Sequence, residues 1–229
     1  MPGIDITRSK RILKATEDSV KSFFSAFDKV RQVKSRPERR APTDAEQDLV
    51  RAGLVFAAAG LDSILKQLVR DCMHHLAQSD EAAQQEFLTY VASELRGQSD
   101  QPDSRGRYEF LARVLSSDSP RKQLIEEYIV HLTGTSLQSA DQVFKVVKAL
   151  GLDPQKLPAQ KKDLNEIFEV RNKIIHELDV KFTGQRGRGG RNSRAKANLE
   201  EYSNKLILVG KSLIEAVDQK TNTHSSPKG

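Results

Sequence analysis

The chain has one cysteine, Cys72, and no tryptophan, and aromatic residues make up 6% of its 229 positions. A single cysteine excludes an intrachain disulfide and a cysteine-rich zinc framework, so folding must rest on apolar burial. The hydrophobic share of 37% is adequate for a core. No apolar run precedes the first charged residues, which argues against secretion and for a cytoplasmic chain. Nor does any uninterrupted apolar stretch approach the ~20 residues of a membrane span. The best, Leu54 to Leu65, is broken by Gly60 and Asp62, so no membrane partner is expected. Alternation of β-branched and polar residues is missing as well, which leaves helical periodicity almost everywhere and an all-α fold.

A first amphipathic helix is expected from about Thr7 to Val33, with Ile12, Val20, Phe23, Phe24, Phe27 and Val30 on its apolar face. Thr43-Asp44-Ala45-Glu46 reads as a capping box that opens a long helix to roughly Ala77, nearly all apolar or small at its centre. Further helices are expected over Glu81 to Leu95, near Tyr108 to Leu115, from Ser119-Pro120 to Gly134, and over Ala140 to Leu150. After Pro154 and Pro158 a helix packs through Leu164, Ile167, Phe168, Ile174, Ile175 and Leu178. A last one spans about Ala197 to Gln219, and from Lys220 the polar composition predicts a disordered tail over 220–229.

What is present in excess is positive charge: +6 net, with a sequence pI near 9.4. Residues 181 to 199 carry Lys181, Arg186, Arg188, Arg191, Arg194 and Lys196 without an acid, threaded through four glycines. A second cluster is Arg31, Lys34, Arg36, Arg39 and Arg40. Both runs can track a phosphate backbone, and both serve equally as solvated loops. The first defines a basic Gly-rich loop, 182–196, in which Arg186, Arg188, Arg191 and Arg194 are the expected RNA contacts.

That loop follows directly on Arg171-Asn172-Lys173-Ile174-Ile175-His176-Glu177. Arginine is a permanent cation whose fork matches phosphate oxygens, and histidine can take and give a proton near neutrality. Together they suit metal-free phosphodiester cleavage with no cofactor. On an ideal helix, five residues give about 7.5 Å of rise and a net turn of roughly 140°. Arg171 and His176 are therefore not on one narrow stripe, whereas Asn172 and His176 share a face and a long arginine can swing toward the same groove. One helix offers half a site. Two copies about a two-fold axis would supply two arginines and two histidines, enough for acid, base and phosphate clamp.

The spacing is weakly specific, since Arg70-Asp71-Cys72-Met73-His74-His75 repeats it. There Arg70 and His75 equally fit cations favoured by the dipole in a helix's last turn. Asp71, Cys72, His74 and His75 face several directions and find no second ligand cluster, so no metal site is expected. Gly210-Lys211-Ser212 lies in a helical pattern and lacks the earlier glycine of a phosphate-binding loop. His131 has a core or surface role by default, and His224 falls in the expected tail.

Two segments together resemble a known family. Arg171 to Glu177, with the earlier helix Arg51-Ala52-Gly53-Leu54-Val55-Phe56-Ala57-Ala58-Ala59-Gly60-Leu61-Asp62-Ser63-Ile64-Leu65, is similar to the HEPN superfamily, and most to its RiboL-PSP-HEPN branch, over residues 40 to 218. The resemblance implies a helical bundle that forms a two-fold homodimer with the Arg-to-His motifs facing each other. In many members it implies a metal-independent endoribonuclease in toxin–antitoxin, phage-defence or CRISPR settings. Arg171 and His176 then match the catalytic pair and Asn172 the polar second position. Asp62 matches an acidic position of uncertain role, with Glu177 a further supporting residue. The domain reading is an N-terminal helix at 1–36 and a HEPN-like helical domain at 37–219, with an inserted helical segment at about 78–137. The expected partners are RNA, a second copy, and a cognate antitoxin or defence-system protein. The alternative is a HEPN-like module that binds RNA, a nucleotide or a protein without cutting.

Overall fold

A computed structural model describes residues 4–33, 41–96, 105–181 and 190–223. It is 81% helical, and no strand occurs among the described residues, so the fold is all-α. The helices are α1 (Thr7–Gln32), α2 (Asp44–Ser79), α3 (Glu81–Arg96), α4 (Arg105–Leu115), α5 (Pro120–Thr133), α6 (Ala140–Ala149), α7 (Lys161–Glu177) and α8 (Lys196–Thr223).

α2 is the central pillar, packing against α1, α3, α5, α6, α7 and α8. Its start is the expected capping box: the Glu46 amide donates to Thr43 Oγ1 at 3.3 Å, and the Thr43 amide to Glu46 Oε2 at 2.7 Å. These bonds satisfy amides that the first turn leaves free. Val50, Leu54, Ala58, Leu65, Leu68 and Val69 are wholly buried. Length and composition alone would let this helix cross a membrane, and it alone does so among the described residues. No single unbroken apolar run announces this, because polar residues such as Asp62 and Lys66 interrupt the apolar sequence of the helix. The apolar window is 61% buried inside the protein, as befits a core helix.

α1 runs antiparallel to α2, with Phe24 beside Gly53 and Thr16 beside Gly60. A methyl group at position 60 would overlap Oγ1, Cγ2 and Cβ of Thr16, so the approach depends on the missing side chain. Val20, Phe24 and Phe27 of α1 join the same hydrophobic cluster as Leu164 of α7 and Val217 of α8. The segment expected as an insertion contributes Phe87, Ile125, Tyr128 and Leu132 to that cluster. It is thus part of the common core, and so is the N-terminal helix.

Local endings mostly follow the sequence. Pro120 opens α5 as expected, but Ser119 at its N-cap makes no side-chain cap. The Gly134 amide closes α5 on Val130 O at 2.7 Å. Gly151, at φ +68°, follows α6, and there a side chain would strike the Asp80–Lys220 pair. That pair corrects the expected tail. Lys220 Nζ lies 2.8 Å from Asp80 Oδ2 and donates to Gly151 O at 2.5 Å, while Thr221 is 3% exposed. α8 therefore continues to Thr223, because tertiary partners offset its polar composition. The rest of the tail, with His224, lies outside the described residues.

Gly60→Ala is expected to lower the unfolding free energy by about 1–3 kcal/mol, the usual cost of overpacking. In urea denaturation, Thr16→Ala in that background should recover part of the loss, because two of the three overlapping atoms are gone.

Candidate functional site

α7 is amphipathic, and its buried residues are Leu164, Ile167, Phe168, Arg171 and Ile174. Arg171 thus falls on the core stripe. It is 7% exposed, and its Nη1 donates to Asn172 Oδ1 at 2.9 Å, while its Nε is buried without a partner. Burial pushes its pKa below the ordinary arginine value, opposed by the negative charge of Asp62. Even so, a guanidinium remains a cation at neutral pH. The expected swing of Arg171 into an open groove is therefore corrected. Its core position holds it inside, bonded to the half-buried Asn172.

Asp62 of α2 accepts from the Leu137 amide at 2.6 Å and pairs with Lys66 at 3.1 Å. It ties α2 to the α5–α6 connection and faces Arg171 electrostatically, without a hydrogen bond to it. His176 and Glu177 are exposed in the last turn, and Asn172 is half-buried. His176 makes no hydrogen bond or ion pair with a described residue, so its ring nitrogens are open to a ligand.

Beyond His176, α7 ends in two consecutive left-handed residues, Leu178 (φ 49°) and Asp179 (φ 57°). The Asp179 amide returns to Lys173 O at 2.9 Å. An antiparallel bridge, Val180 to Arg191, then closes the base of the basic segment. The Asp179 carboxylate is fully buried. It accepts from Arg194 Nε and Nη2 at 2.9 and 2.6 Å, Arg51 Nε at 3.3 Å and Asn192 Nδ2 at 3.1 Å. Arg51, 2% exposed, also donates to Asp48 Oδ1 at 3.0 Å and Asn192 O at 2.8 Å. Arg191 donates to Leu178 O at 2.7 Å and pairs with Asp48 at 2.7 Å.

Arg191 and Arg194, expected to face RNA, are thus engaged within the chain by carboxylates that only the fold brings near. Arg186 and Arg188 lie outside the described residues, as do Lys34, Arg36, Arg39 and Arg40. Next to this network, a groove of about 440 Å³ is lined by Ala52, Val55, Phe56, Ile174, Leu178 and Val180 among others. Phe56 is 48% and Leu178 65% exposed.

The RiboL-PSP-HEPN family model matches residues 14–222, nearly the whole chain. The chain belongs to the RiboL-PSP-HEPN family. This family of the HEPN superfamily points to a nuclease or RNA-binding module. The match begins inside α1, so the helix from Lys14 onward lies within the matched region. No curated protein and no solved structure gives a significant match.

The second Arg-to-His spacing does not assemble in this HEPN domain. Arg70 is exposed, whereas His75 Nε2 and Asp71 Oδ2 are buried without partners and His74 bonds Glu126 at 2.7 Å. Burial pushes the Cys72 thiol up to about 12. Among the described residues, no group of three or more His, Cys, Asp and Glu is placed to hold a metal ion. Gly210 sits in α8 against Ile64, and His131 contacts Lys145 Nζ at 2.6 Å beside the Tyr90 ring.

Sequence reasoning missed the Arg51–Asp179 pair. The one available signal was Asp179 itself, the last acid before an acid-free basic run. Burial alone would raise its pKa, but hydrogen bonds from Arg194 and Asn192, the Arg194 charge and the Arg51 bond outweigh it and hold the pKa below 3.8. A depressed carboxylate pKa adds stability above its unfolded value, and that stability is lost as pH falls through the folded value. Urea melts should therefore show wild type losing more stability between pH 5 and pH 3 than Asp179→Asn. At neutral pH, Arg51→Met should cost about 3–5 kcal/mol, because it leaves Asp179 buried with less compensation.

Proposed function

We propose that the chain is a metal-independent endoribonuclease working as a two-fold homodimer, in a cytoplasmic toxin–antitoxin or phage-defence setting. The carrying observation is the relay on α7: a buried, charged Arg171 donates to Asn172 Oδ1, and Asn172 shares a helix face with exposed His176. With its oxygen held by a cation, the Asn172 amide nitrogen is a polarised donor at the surface, beside an imidazole with no partner of its own among the described residues.

In the reaction, His176 of one copy takes the proton of a ribose 2′-hydroxyl, and O2′ attacks the adjacent phosphorus. His176 of the second copy, protonated, gives its proton to the departing 5′-oxygen. The products carry a 2′,3′-cyclic phosphate and a 5′-hydroxyl, and the histidines end with exchanged protonation states. Arg171 stabilises the developing negative charge from within, through Asn172, a role suited to a preorganised dipole in a dry setting. Asp62 holds the position of the neighbouring backbone.

This mechanism uses separate imidazoles as acid and base, and one chain supplies one at this site. In this reading the second copy docks on the apolar groove at the end of α7, where Phe56 and Leu178 lie exposed. Phe56→Glu is expected to shift sedimentation from dimer to monomer and to remove cleavage with it. A monomeric wild type, or a Phe56→Glu dimer, sinks the placement.

For the chemistry, labelled RNA is incubated with the full chain and excess chelator. Cleavage is expected to persist, and His176→Ala to reduce the rate by about 10²–10⁴, the worth of a proton-transfer group. Arg171→Ala should be similarly inactive. Loss of cleavage with chelator, or its survival in both folded variants, defeats the mechanism. The second reading, binding without cutting, is favoured by the depth of Arg171 and the net charge of +6. Tight, salt-sensitive RNA binding with no product at saturating protein would select it.

A further inference from the structure

We propose that Asp179 is a positioning residue for His176: its buried carboxylate, clamped by Arg51 and Arg194, sets the end of α7 and thereby the place of the imidazole. Its effect on cleavage rests on the endoribonuclease reading; its geometric role does not.

His176 has no partner among the described residues, so its place follows from the backbone that carries it. That backbone is closed by the bond from the Asp179 amide to Lys173 O at 2.9 Å, which encircles His176. The closure turns on the left-handed conformation of Leu178, and Asp179 after it is left-handed as well. Asparagine and aspartate visit that region readily, but leucine does not, and such a residue persists only where its surroundings over-determine it. Here the Asp179 side chain accepts from Arg51, Arg194 and Asn192, and its carbonyl accepts from the Asn192 amide at 2.7 Å. The Leu178 carbonyl is held in turn by Arg191 at 2.7 Å.

Arg51 belongs to α2, and Arg194 precedes α8. The carboxylate therefore joins the catalytic helix to the pillar of the fold and to the root of the basic segment at one point. Loosening it frees Leu178 to leave the left-handed region, and the last turn of α7, with His176, moves with it. A merely structural carboxylate would lower stability on removal but leave His176 unmoved in molecules that remain folded.

The full chain, isotope-labelled, is examined by nuclear magnetic resonance as wild type, Asp179→Asn and Arg194→Gln, with folding checked by circular dichroism. His176→Ala assigns the imidazole signals. In folded Asp179→Asn protein the His176 ring and Asn172 side-chain amide signals are expected to shift. On a short labelled RNA, kcat should fall by roughly ten- to a hundred-fold, as for a displaced catalytic group, with KM within about twofold. A folded Asp179→Asn protein with unmoved His176 signals and unchanged kcat overturns the proposal. Should that variant fail to fold, Arg194→Gln decides in the same way, since it removes the more exposed clamp and leaves Arg51 in place. A wild type that never cleaves RNA defeats the endoribonuclease reading alone; the resonance shifts still decide the role of Asp179.

Discussion

Nearly every feature near the motif depends on the burial of α2. A helix of 36 residues packed against six other helices can hold side chains at many depths, and two polar residues on it act near the motif. Arg51 reaches the end of α7 and Asp62 reaches the α5–α6 connection. Both act from a scaffold that cannot shift without opening the core. Close-packed interiors hold such positions because their side chains have few alternative arrangements. The missing side chain at Gly60 extends the same constraint to α1, whose Thr16 occupies that space.

The polar network at the end of α7 sits against the logic of the core that surrounds it. Two fully buried ions of opposite sign lose hydration on folding, and their attraction offsets that loss only when further hydrogen bonds complete the shell. Asp179 and Arg51 meet this condition through Arg194, Asn192, Gln47 and Asp48. Such an arrangement also fixes local geometry. In this chain the geometry it specifies is the helix end beside His176 and the root of the basic segment.

Much of the fold was legible. The Thr43–Glu46 capping box, the Pro120 start and the glycines at 134 and 151 marked boundaries that the structure keeps, because each acts through bonds to residues a few positions away. Arg171 was legible only in part: Leu164, Ile167, Phe168 and Ile174 bracket it at helical spacing, but that stripe does not say whether so long a cation stays inside or reaches out. Arg191, Arg194 and Lys220 were different. Their partners, Asp48, Asp179 and Asp80, lie about 140, 15 and 140 positions away along the chain, and no local pattern announces such a pairing.

The sequence by itself determined the helical class, most helix limits, the family resemblance and the presence of an arginine, an amide and a histidine on one helix. These follow from periodicity and from bonds that span at most a turn or two. Only the tertiary structure decided which of those side chains faces water. It drew Arg171 inside and left His176 outside, and it engaged two expected RNA contacts, Arg191 and Arg194, with carboxylates of the chain. The physical reason is that the cost of burying a charge depends on the partners it meets there, and those partners are assembled only when distant helices pack.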